Sequence, residues 1–146
     1  MKKLKITRSR LFIFFLILSF LLIAGILLIT IGKERTIVDM HGQLQVKNTQ
    51  IVNEKGEAVA LHGMSLFWSQ WDSKYYNYDC IKWLRDDWNC QVIRIAMATG
   101  KNGYADFPER EMKKVTKVID ACIDLGIYVL VDWHSHNAEE QVNDAY

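Results

Sequence analysis

No acidic residue precedes Glu34, and no glycine-rich phosphate-binding pattern occurs anywhere in the 146 residues. Without G-x-G-x-x-G or G-x-x-x-x-G-K-[ST] after a strand, dinucleotide and P-loop chemistry lack their backbone cradle. Cysteine is scarce. Cys80, Cys90 and Cys122 form no C-x-x-C pair, so a zinc site is not expected, and an odd count argues against a full disulfide framework. Cys80 and Cys122 read as small helix residues, with a Cys80–Cys90 bridge left open. Nor is there a cationic excess. The formal net charge is +1, and five bases (Lys2, Lys3, Lys5, Arg8, Arg10) precede the first apolar run. From Gly32 onward, 13 Lys and Arg face 17 Asp and Glu, a net of −4. That balance gives no reason to expect a nucleic-acid partner.

The longest feature present is the uncharged run Leu11–Ile31. As a helix it would span roughly 30 Å, the thickness of a bilayer core. It is longer than a signal-peptide core and ends without a small-residue cleavage site. Apolar residues on every face also disfavour a core helix. We therefore expect a basic segment at 1–10, a transmembrane signal anchor at 11–31, a polar tether at 32–43 and a catalytic domain at 44–146. The basic flank predicts a single-pass cell-membrane protein with a cytoplasmic N-terminus and an extracellular domain, or a secreted one if the segment is cleaved.

The remainder predicts an α/β chain. Leu44–Leu61 reads as a β-hairpin turning around Asn53–Glu57. Leu61–Phe67 reads as a strand. Tyr78–Trp88 reads as a helix, with Ile81, Leu84 and Trp88 at i, i+3 and i+7, capped by Asn77 and stopped by Asn89. Gln91–Met97 reads as a buried strand. Pro108, the only proline, opens a second helix with Glu109 and Glu111 in its first turn, a stripe of Met112, Val115, Ile119 and Cys122, and Gly126 as its stop. Ile127–Val131 reads as a third strand. Alternating strands and helices imply parallel pairing through right-handed crossovers, either in a doubly wound sheet or a (β/α)8 TIM barrel. Trp, His and Arg at the strand ends favour the barrel's active face. Three strands and two helices do not close a barrel, so the chain reads as an N-terminal part of one.

Several residues stand out chemically. Arg94, inside an apolar strand, needs a partner; it is either a structural ion pair or a guanidinium that orients a carboxylate. His134 is either a sugar-hydroxyl ligand or a structural histidine. With His136 it forms an H-x-H pair, but two ligands do not complete a metal site, and no cofactor is expected. Trp68, Trp71 and Trp133 near strand ends suit the C–H faces of pyranose rings. Trp83 and Trp88 read as core. Glu139 and Glu140 read as a solvated loop, and Asp86 and Asp87 as surface charge.

Leu44–Lys47, Ile51–Gly56, Gly63–Ser65, Lys82–Trp88, Val92–Met97 and Asp124–Val129 running to Asp132-Trp133-His134 together resemble glycoside hydrolase family 5, the cellulase branch. The resemblance implies a barrel that cuts β-1,4-glucan internally with retention, using two glutamates. Such carboxyls stand about 5–5.5 Å apart. In the family they follow the fourth and seventh strands, and the first lies in an Asn-Glu-Pro string that this sequence lacks, so both are expected beyond Tyr146. The resemblance makes Arg94 and His134 supporting catalytic residues; Trp68, Trp71 and Trp133 are expected substrate contacts on their aromatic chemistry, and His136, which replaces a usually apolar residue of the family, is a further expected contact. Phe67 and Ala98 depart from the His and Tyr often found at those places. The alternative is a membrane-anchored, non-catalytic glucan-binding protein on a decayed barrel.

Overall fold

A computed structural model describes residues 8–31 and 34–141. The basic segment expected before Arg8, the junction at Gly32 and Lys33, and residues 142–146 lie outside them. Helix α1 spans Arg8–Ile31. Its apolar side chains are largely exposed from Leu11 to Leu27; the side chains of Leu28–Ile31 lie outside the described set. Among the described residues, no helix is long and apolar enough to cross a membrane. Residues up to Glu34 and from Arg35 onward form two separate units.

The second unit opens with α2 (Ile37–His41), where the sequence predicts a polar tether. The helix forms because Thr36 and Asp39 make a reciprocal capping box, and because Ile37 has a core to enter. Strands β1 (Gln45–Lys47) and β2 (Gln50–Val52) pair antiparallel. Their turn is at Asn48, in the left-handed region at φ 57°, rather than at Asn53–Glu57 as predicted. Asn53–Glu57 makes a second turn closed by one bridge, Val52 to Ala58. The Asn53 side chain organises it, accepting from the N–H groups of Lys55 (3.0 Å) and Glu57 (2.9 Å).

A parallel sheet follows, in the order β3 (Gly63–Ser65), β4 (Val92–Ala98), β5 (Tyr128–His134). Helix α3 (Tyr78–Trp88) crosses from β3 to β4, and α4 (Pro108–Leu125) from β4 to β5. Asn77 caps α3 by accepting from Cys80 N–H at 3.0 Å. Asn89 and Gly126 end the two helices in the left-handed region, as the sequence predicts. A Cβ on Gly126 would stand 2.3 Å from Thr36, so glycine is required there twice over.

Strand alternation decides what each face does. Ile93, Ile95 and Met97 point to the helices and form a core with Ile81, Leu84, Val115, Val118, Cys122 and Leu125. One expectation fails, and a second holds in part, since of the predicted α4 stripe Val115 and Cys122 are buried and Ile119 packs against the core. Trp83 and Trp88 are half exposed, with rings packed edge to face at 5.8 Å, because Ile81 and Leu84 alone turn α3 inward. On α4 the buried stripe is Val115, Val118, Cys122 and Leu125, one position away from Met112, which is exposed. All three cysteines are free thiols. Burial pushes the Cys122 thiol up to about 12. Near the start of β5, Val38 N–H donates to Gly126 O at 3.2 Å and Tyr128 OH to Gly42 O at 2.6 Å. The α2 segment, through Val38 and Gly42, thus covers the sheet end opposite His134.

Candidate active site

The opposite sheet face carries Ser65, Arg94, Ala96, Ala98, Leu130, Asp132 and His134. The register aligns Ser65 with Arg94, Arg94 with Leu130, Ala96 with Asp132 and Ala98 with His134. The predicted third strand stops at Val131, but β5 continues to His134. Backbone pairing with β4 persists to Ala98 and carries the polar residues on the sheet itself. Rigid strands, rather than a loop, therefore aim Asp132 and His134.

Arg94 has its partner: the guanidinium donates to Asp132 Oδ2 and, at 2.6 Å, to Ser65 Oγ. His134 Nδ1 lies 2.8 Å from the same Asp132 oxygen and 3.2 Å from the Arg94 guanidinium. These two contacts demand opposite roles of Nδ1, because a carboxylate only accepts and a guanidinium only donates. The shorter contact, to the charged acceptor, assigns the proton to Nδ1. That leaves the Nε2 lone pair for a ligand hydroxyl. Arg94 is thus the ion pair of the first reading, and its guanidinium has more donors than these partners use.

The loop after β3 adds the aromatic wall. The Trp68 ring meets His134 edge-on at 4.2 Å, stacks with Trp71 at 5.0 Å and lies 5.3 Å from His136. Together with Lys101 and Asn137 these rings line a groove of about 360 Å³. Trp133 is not among its walls. One residue before His134, it points to the helix side, packs against Tyr104 at 5.2 Å and donates from Nε1 to Gln141 at 3.2 Å. It lines a separate cavity of about 280 Å³ with Thr99 and Pro108. Strand alternation separates Trp133 from the other residues predicted to contact substrate. Among the described residues, no group of three or more His, Cys, Asp or Glu could hold a metal ion. Glu139 and Glu140 sit exposed on a single turn.

Sequence reasoning missed two participants. Asp132 stands two residues before His134, so the strand period alone puts it on the same face. Glu111 reads simply as a first-turn acid, and it is fully buried. It precedes Val115 by four, the register of the buried stripe. Glu111 accepts from Ser69 Oγ, from Lys114 Nζ at 2.7 Å and from Arg110 Nε at 2.9 Å. Burial pushes its carboxyl up, but these three bonds outweigh that and hold it below the usual range. Tyr76 fastens the same loop by donating to Phe67 O at 2.7 Å, and burial pushes its phenol well above its ordinary value.

The family described as cellulase (glycosyl hydrolase family 5) matches residues 52–146, which include every one of these residues. The chain belongs to glycosyl hydrolase family 5. It is 43% identical to endoglucanase N of Pectobacterium atrosepticum over 99 residues, 68% of this chain and 22% of that protein. A solved structure from Cytophaga hutchinsonii shares 50% identity at a TM-score of 0.74, covering 76% of this chain and 36% of the other. The catalytic domain of Thermobifida fusca endoglucanase Cel5A, solved with cellotetraose, shares 31% identity at a TM-score of 0.71, with coverages of 76% and 37%. The chain thus spans about a fifth of the length of the curated relatives it matches. Its three parallel strands and two crossover helices are part of the α/β barrel of this family.

Proposed function

We propose that this chain supplies one wall of the active site of a retaining endo-β-1,4-glucanase whose two catalytic glutamates lie outside its 146 residues. The observation that carries this reading is the groove itself: stacked Trp68 and Trp71 beside a His134 whose Nδ1 lies 2.8 Å from Asp132. Indole faces suit the C–H surfaces of glucosyl rings, and an oriented imidazole and guanidinium suit their hydroxyls. Arg94 further suits a carboxylate brought next to it, which it would keep ionised as a nucleophile must be. Retaining chemistry uses two carboxyl groups, one as acid/base and one as nucleophile, and Arg94 and His134 supply neither. The isolated 146-residue chain should therefore bind glucan without cutting it.

The test is hydrolysis of cello-oligosaccharides by the full-length gene product, followed by NMR of the new reducing end. Release of the β-anomer supports the reading. Binding without turnover would favour a non-catalytic glucan-binding protein instead, and activity abolished by chelation would point to a metal-dependent hydrolase.

Localisation at the cell membrane is part of the same proposal. It is supported by the uncharged run Leu11–Ile31 with five bases before it and none of the 17 acids. Protease added to sealed vesicles should digest the domain after Arg35 only when that domain faces outward.

A further inference from the structure

We propose that Glu111 is a positioning residue, a buried carboxylate on α4 that sets the pose of the Trp68–Trp71 loop against His134. The consequence for glucan affinity rests on the reading of the groove given above; the positioning itself does not.

A carboxylate in the first turn of a helix is well placed in water, yet Glu111 is fully buried. A buried charge is tolerated only when its acceptors are filled, and an apolar residue of similar volume often does as well for stability alone. Leucine at this position would simply extend the stripe below Val115. What the carboxylate adds is directed acceptors, and they point to the loop. Ser69 Oγ donates to it, and Lys114, which also donates to it, reaches on to Ser69 O at 2.8 Å. Ser69 Oγ in turn accepts from Ala98 N–H at 3.0 Å, and Ser69 N–H donates to Ala96 O at 3.1 Å. Ser69 is therefore a junction between α4, the end of β4 and the loop, with Trp68 on one side and Gln70-Trp71 on the other.

Gln70, the next residue of the loop, has its Oε1 buried with no hydrogen-bond partner among the described residues. That is a cost to this pose, and the bonds Ser69 makes to Glu111, Lys114 and the end of β4 oppose it.

The experiment uses the full-length gene product labelled with 5-fluorotryptophan, with the Trp68 resonance assigned from a Trp68→Phe variant. Glu111→Leu and Ser69→Ala each cut the link, the second without disturbing the buried carboxylate's bonds to Lys114 and Arg110. Both should shift and broaden the Trp68 fluorine signal while leaving that of Trp83 unchanged. Affinity for cellotetraose should fall about tenfold in either variant, and the same substitution should cost less than about twofold in a Trp68→Ala background. A Trp68 signal unmoved in both variants, or an affinity loss undiminished without Trp68, overturns the proposal. If the unmodified protein fails to bind cellotetraose, the glucan reading is wrong, and the fluorine signals still decide whether Glu111 positions the loop.

Discussion

Replacing Asp132 with asparagine removes a charge but little volume, so it isolates what the carboxylate does for Arg94 and His134. In the wild type, Asp132 Oδ2 accepts from both the guanidinium and His134 Nδ1. Fully exposed ion pairs contribute about 0–1 kcal/mol, and hydrogen bonds to buried charged groups about 1.5–3 kcal/mol. The Arg94 and Asp132 side chains are 37% and 26% exposed, between these limits. Asparagine keeps one acceptor, so the loss should be near 1–2 kcal/mol, roughly 2–5 °C in melting temperature. A second effect matters more for the site. An amide holds Nδ1–H less firmly, and Arg94 can then donate to Nδ1 instead. That moves the proton to Nε2 and turns the groove-facing nitrogen from acceptor to donor. Cellotetraose affinity should fall about tenfold or more, beyond anything the melting shift explains. Calorimetric titration and thermal melts of Asp132→Asn in the full-length product measure both. A variant with unchanged affinity and unchanged melting temperature would refute the relay. So would an affinity loss reproduced in full by Leu130→Ala, which alters the same sheet face without touching the relay.

Other outcomes follow from the same geometry. Trp71→Ala should weaken cellotetraose binding with little change in melting temperature, whereas Trp133→Ala should cost about 3 kcal/mol or more of stability and leave binding by the folded protein nearly intact; paired melts and titrations separate them. Gly126→Ala should destabilise by more than about 1 kcal/mol, because its Cβ would meet Thr36 at a left-handed φ of 65°. Glu111 has a carboxyl held below its ordinary 4.5 in the folded state. Its contribution is therefore present above that value and lost as pH falls through the lower folded value, so Glu111→Gln should flatten the acid limb of the stability curve. Iodoacetamide at mild alkaline pH should modify Cys80 before Cys122, whose thiol is buried and pushed up to about 12; mass spectrometry of native and unfolded protein reads the order.

Much of the fold was legible because local chemistry and burial agree. Asn77, Asn89, Pro108 and Gly126 mark the helix ends by rules that need no tertiary context. The apolar run around Ile93 and Ile95 marks the central strand. What misled was context that composition does not carry. Two turn-forming stretches compete between Leu44 and Leu61, and only pairing decides that the hairpin closes at Asn48. Trp133 and His134 are both strand-end residues of suitable chemistry, yet adjacent positions face opposite sides of a sheet. Glu111 was hidden because an acid near a helix start already has a sufficient explanation in the helix dipole. Its place in the Val115 stripe was the competing signal. For the site, His134, Trp68, Trp71 and His136 line one groove and Arg94 stands behind it against His134, while Asp132 follows from the strand period and Ser65 from the strand register.

The most direct test is a crystal structure of the full-length gene product, its nucleophile neutralised, soaked with cellotetraose. The account predicts a glucosyl ring lying against Trp71 and Trp68, with a ring hydroxyl donating to His134 Nε2. Sugar density elsewhere, or a groove that stays empty while the oligosaccharide binds on the Trp133 side of the sheet, would contradict it.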